Sequence, residues 1–127
     1  MINPMTLLIH QLKQLSTVNE VYSGYPSTEI TVKPTFIIVD EIDNTDVFYD
    51  TNTSMEIVDL RYEINVYSDN MASLNFCVNE VDSFMKDKGF IRTRSTLNLN
   101  NEPLFCRTMV YTCRCKKQNG DYVIFYL

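Results

Sequence analysis

The chain has one histidine, three glycines and no tryptophan among its 127 residues. A single histidine leaves nothing for a His-rich metal site and argues against a nucleophilic triad. His10 falls near the edge of an apolar helical stripe, so a structural or solvated role is expected. Three glycines leave hardly any material for a phosphate-cradling loop. No run approaches the ~20 apolar residues of a membrane span. Met5 to Ile9 is a short apolar run with no cleavage pattern after it, so no secretory leader and no membrane partner are expected. Basic residues are outnumbered, 11 against 16 acidic, for a net charge of −5. An exposed nucleic-acid-binding surface would need clustered Lys and Arg to displace counterions, and is not expected. A passage that surrounds DNA without gripping it is compatible with acidity, because an acidic wall repels phosphates.

The four cysteines are Cys77, Cys106, Cys113 and Cys115. Nothing marks the chain as secreted, so they are read as reduced thiols. Cys113 and Cys115 are one residue apart and share a face if that segment is a strand. This is not the knuckle spacing of structural zinc sites, and small buried hydrophobes are the expectation. No metal or cofactor is expected.

The length suits one domain, and about two thirds of its unfolded surface can be buried without metals or disulfides. Asn3 and Pro4 open an N-terminal helix whose face is Met5, Leu8, Ile9, Leu12 and Leu15, ending near Ser16. Val21 to Pro26 reads as a connector. Thr35 to Val39 is a β-branched and aromatic strand. Asp40, Glu41, Asp43 and Asp46 follow as a charged loop, and Asp50 to Ser54 as a loop between strands. Asp59 to Tyr67 is the clearest strand, with Leu60, Tyr62, Ile64 and Val66 alternating against Arg61, Glu63 and Asn65. Ser68-Asp69-Asn70 stops it and caps a helix whose stripe is Leu74, Cys77, Val78, Val81, Phe84 and Met85. Gly89 suits the left-handed position after that helix. Phe90 to Leu97 resumes strand character, with Arg92 and Arg94 expected on the face opposite Ile91. Leu104 to Cys115 is another strand, and Asn119-Gly120 signals a hairpin. The fold class is therefore α+β, a mixed or antiparallel sheet with both helices on one face.

Two constellations invite chemistry or contact. The Asp40 to Asp46 carboxylates are the residue type for Mg²⁺ or acid–base work, but calcium-loop spacing is missing and a solvated segment is the plainer expectation. Tyr122 to Leu127 is six consecutive apolar or aromatic residues, including Phe125. Such a strand needs cover on both faces, inside the domain or from another subunit.

The run Leu60-Arg61-Tyr62-Glu63-Ile64-Asn65-Val66-Tyr67-Ser68, then Val81-Asp82-Ser83-Phe84-Met85, then Lys88-Gly89-Phe90-Ile91-Arg92-Thr93 resembles the tail completion (tail terminator) proteins of long-tailed bacteriophages. Gly24-Tyr25-Pro26, Pro34 to Asn44, and Glu102 to Tyr111 are also similar. The resemblance spans roughly Tyr25 to Tyr111, while Cys113 to Leu127 departs from it. It implies a non-enzymatic virion subunit at the tail–neck junction, assembled in the bacterial cytoplasm as a homo-oligomeric ring, expected to be a hexamer. The implied partners are the tail tube protein and a head-completion or neck protein, with DNA passing through the lumen. Within that reading, Arg92, Arg94 and Arg107 are candidates to pair across subunits with Asp40, Glu41, Asp43 and Asp46, alongside Arg61 and Glu63 on the polar strand face. The same carboxylates are alternatively lumen residues, and Tyr122 and Phe125 are interface candidates. Rival readings are a head-closure, adaptor or tail tube subunit, a small metal-dependent enzyme, and a host binding module.

Overall fold

The structure, a computed structural model, describes residues 4–24, 34–98, 104–118 and 121–122. Its elements are α1 (Pro4–Leu12), β1 (Glu20–Ser23), β2 (Thr35–Asp50), β3 (Met55–Ser68), α2 (Met71–Asp87), β4 (Ile91–Asn98), β5 (Phe105–Gln118) and β6 (Asp121–Tyr122). One sheet runs in the order β1-β2-β3-β5-β4, with β6 paired to β5. Only β1–β2 is parallel. Both helices pack on one face, which is the α+β arrangement expected from the sequence.

The alternation in β3 sets the layering. Leu60, Tyr62, Ile64 and Val66 are fully buried and meet Leu8 and Leu12 of α1 and Leu74, Cys77, Val78, Val81 and Met85 of α2. Each such side chain contributes about 1.5–3 kcal/mol relative to exposure. Across the sheet lies a smaller cluster of Phe36, Ile38, Tyr67 and Cys106, where the Phe36 and Tyr67 rings stack at 4.9 Å. Cys106 therefore sits on the opposite face from Cys113 and Cys115, whose sulfurs lie 3.8 Å apart. The four thiols are free and buried, and cannot converge on one ion.

The ends of α2 follow local chemistry. Asn70 caps it by accepting from the Ser73 N–H at 3.0 Å. At the other end, Gly89 (φ +91°) donates to the Lys86 carbonyl, and Phe90 donates to the Met85 carbonyl, both at 3.0 Å. This is a Schellman closure, and it buries Phe90 and Met85 in the same core.

Two boundaries differ from the expectation. α1 ends at Leu12, not near Ser16: Gln14 and Leu15 donate to Gln11 and Leu12 in tightened i→i+3 turns. Leu15 and Val18 still pack on the core, so the apolar spacing outlasts the helix. Val21 to Ser23 is strand, not connector, because Val21 reaches the core beside Ile37 and Val39. Gly24 (φ +82°) follows that strand. Asn19 fixes its entry by donating its N–H to the Thr35 carbonyl and accepting the Thr35 N–H on Oδ1.

Candidate assembly surfaces

The acidic segment is not a loop. Asp40, Glu41, Asp43 and Asp46 lie within β2, whose pairing with β3 runs from Thr35↔Ser68 to Asp50↔Met55. Acidic residues have poor strand propensity, but fourteen registered cross-strand pairs decide the conformation. β1 covers β2 only as far as Val39. Beyond it β2 has no described strand on its outer side, and residues 40 to 49 are exposed. The outer half of β2 is thus an exposed arm along the edge of the sheet, backed by β3, which stays paired to β5 as far as Met55↔Gln118. At its tip is a turn at residues 51–54, where Asp50 accepts the Asn52 N–H and Ser54 takes a left-handed φ of 54°.

Register shifts at Ile42 and Val47 sort the arm's side chains. Asp40 lies opposite Glu63 and Asp43 opposite Arg61, on the open face of the sheet. Glu41 lies opposite Tyr62 and Asp46 opposite Val58, on the helix-bearing side. The four carboxylates therefore point both ways and do not form one cation cradle, and among the described residues no cluster of three or more His, Cys, Asp or Glu has metal-site geometry. None of the four has a cationic partner within ion-pair reach among the described residues. Between them the arm exposes Ile42, Val47, Phe48 and Tyr49, each close to half accessible.

At the other end of the sheet, β4 carries the arginines. A register shift at Thr93 places Arg92 opposite Tyr111 and Arg94 opposite Val110, so they lie on opposite faces of the sheet. Ile91, opposite Thr112, shares the open face with Arg94. The expectation of both arginines opposite Ile91 fails because one extra residue inverts the alternation. Arg107, opposite Leu97, is on the helix side with Arg92.

Arg92, Arg107, Ser95, Asn75, Asn79 and Val78 line a groove of ≈ 380 Å³ between α2 and β4. Arg107 donates to Ser95 Oγ at 2.9 Å and has no carboxylate within ion-pair reach among the described residues. Arg92 lies 3.4 Å from Asp82 Oδ1. Asp82 also receives Lys86 at 2.8 Å and the Tyr111 hydroxyl at 2.8 Å. Burial alone would raise the Asp82 carboxyl, but these bonds and charges outweigh it and hold it below the usual aspartate range. Burial and the bond to Asp82 push the Tyr111 hydroxyl well above its ordinary value, so it stays a donor. The Asp82–Tyr111 link was not visible in the sequence: the two residues are 29 apart, and only the packing of α2 on β5 joins them.

Glu63 is half-buried and accepts from Asn65. The backbone of Tyr122 pairs with Lys117 in β6. Phe125, Asn3 and the Asn119-Gly120 pair lie outside the described residues, although Gln118↔Asp121 pairing flanks the expected hairpin.

No family model and no curated protein sequence matches the chain. Among solved structures, a chain from the virion of a native gene transfer agent (GTA) particle is similar in fold, with a TM-score of 0.54 and 15% identity. The match covers 84% of this chain and 90% of that one. No described helix is long and apolar enough to cross a membrane.

Proposed function

We propose that this chain is a one-domain structural virion subunit of a phage-like particle, a tail terminator that closes into a ring on the tail tube. The observation that carries the reading is the fold shared with a GTA virion chain over nearly the full length of both. The finer role, at the tail–neck junction, is supported by the resemblance of the segments between Leu60 and Thr93 to tail completion proteins. The work is surface complementarity: one face meets the tail tube protein, the other a head-completion or neck protein, and DNA passes through the lumen unbound. No covalent step is required, and the surface features this work draws on are an open arm and a groove lined by arginine and asparagine side chains.

Geometry supports assembly by a head-to-tail contact. The acidic β2 edge and the arginine-bearing β4 edge stand at opposite ends of the sheet, so copies that join through them make a heterologous contact, the kind from which a ring is built when the repeated rotation closes. Light scattering and negative-stain imaging of the purified protein test the reading. Closed rings of six that do not lengthen are expected. Stacking into long tubes would assign the chain to the tail tube instead, and a monomer that binds neither purified tubes nor neck complexes would end the virion reading.

A further inference from the structure

Among the described residues, the α2–β4 groove holds one arginine with no carboxylate partner, Arg107, and the β2 arm carries carboxylates with no cation partner, which points to a specific occupant. Arg107 has a guanidinium with five donors, of which one bond goes to Ser95. On the arm, the carboxylates on the helix-bearing side are Glu41 and Asp46, and neither has a cation partner among the described residues. An exposed strand edge that only needed protection from aggregation would be served by charge alone. This edge also shows Ile42, Val47, Phe48 and Tyr49, which gain nothing in water. Leu97, likewise exposed, lies opposite Arg107 on the helix side, beside the groove.

We infer that the groove between α2 and β4 receives the β2 arm of a second copy of this chain, with Glu41 and Asp46 of the arm meeting Arg107 and Arg92 of the groove. The inference rests on the ring reading and names its contact. It divides the arginines by face: Arg94, on the open side of the sheet, takes no part. A carboxylate arriving at Arg107 forms a charge-assisted pair without breaking an existing ion pair, whereas Arg92 is shared with Asp82. The contact is heterologous, so each copy gives one arm and offers one groove.

Charge reversal tests this. Arg107→Glu and Asp46→Lys are each examined alone, then mixed in equal amounts, by light scattering over a concentration series. Each alone is expected to raise the concentration for half-assembly by at least ~10-fold. The mixture is expected to recover, because reversed arms then meet reversed grooves in alternation around an even ring. Arg94→Glu is expected to assemble as the unmodified protein does. A second measurement avoids dependence on the folding of charge variants: Asp46→Cys combined with Ser95→Cys should give chains cross-linked between copies under mild oxidation, since the four native thiols are buried. If Arg107→Glu and Asp46→Lys assemble normally and no cross-link forms, the contact is wrong while the ring stands. If both variants lose assembly but the mixture fails to recover and no cross-link forms, the pairing is wrong. If the unmodified chain is monomeric at every concentration, the ring reading falls and the contact with it.

Discussion

The Tyr111 hydroxyl donates to Asp82 Oδ1 at 2.8 Å, joining the middle of β5 to the polar flank of α2. The same carboxylate holds Arg92 at 3.4 Å, so one buried phenol, one half-buried carboxylate and one groove arginine form a single unit. Tyr111→Phe removes a bond to a charged acceptor while leaving Lys86 and Arg92 in place. A loss of about 1–2 kcal/mol in unfolding free energy is expected. Urea denaturation followed by circular dichroism measures it, and an unchanged midpoint would show that the bond adds nothing net.

Acid should loosen this unit. The folded Asp82 carboxyl lies below its ordinary value, as does Glu80, which accepts from Ser16 Oγ, the Thr17 N–H and Thr17 Oγ1. Burial opposes both shifts, and hydrogen bonding wins. A carboxyl depressed on folding contributes stability that is fully present above its unfolded pKa and is lost as pH falls through the folded pKa. The window therefore lies below roughly pH 4. Thermal melts should drop as pH falls from about 4 to about 3, and Asp82→Asn should start lower and drop less. An equally steep drop in that variant would place the acid sensitivity elsewhere.

The two ends of α2 should respond differently to alanine for different reasons. Asn70→Ala removes the acceptor for the Ser73 N–H and should cost ~1 kcal/mol. Gly89→Ala meets no atom within 4 Å, so any loss comes from backbone strain at φ +91°, about 1 kcal/mol. Chemical denaturation reads both, and a neutral Gly89→Ala would mean that the Schellman turn relaxes.

Core and arm should separate cleanly. Ile64→Ala empties a fully buried site against both helices and should cost roughly 2–5 kcal/mol. Phe48→Ser, on the exposed arm, should change monomer stability by no more than about 0.5 kcal/mol. Its effect belongs to assembly, and light scattering should show weaker association. Strong destabilisation of the monomer by Phe48→Ser would make the arm part of the core.

Helices and strands with regular periodicity were legible beforehand because their signal is local. The alternation from Leu60 to Val66, the stripe from Leu74 to Met85, the Asn70 cap and the Gly89 closure need only neighbours within a few residues. The acidic segment has the local propensity of a loop, and its extended form depends on β3, a partner reached through a turn. The faces of Arg92 and Arg94 are not legible in the sequence for a related reason. Alternation assumes one residue per step, and the shift at Thr93 exists only in the pairing with β5.

By itself the sequence determined which residues are apolar and at what period, and hence the α+β class, both ends of α2 and the lack of a glycine-rich phosphate loop. It also determined that charge is acidic overall and locally dense from Asp40 to Asp46. Tertiary structure alone decided where those charges stand. Strand register, one slip in β2 at Ile42 and one in β4 at Thr93 sent Glu41 and Asp46 to one face with Arg92 and Arg107, and Asp40, Asp43 and Arg94 to the other. The physical reason is that a strand's faces repeat every two residues, so a single inserted residue reverses every side chain after it, and only the partner strand fixes where the insertion falls.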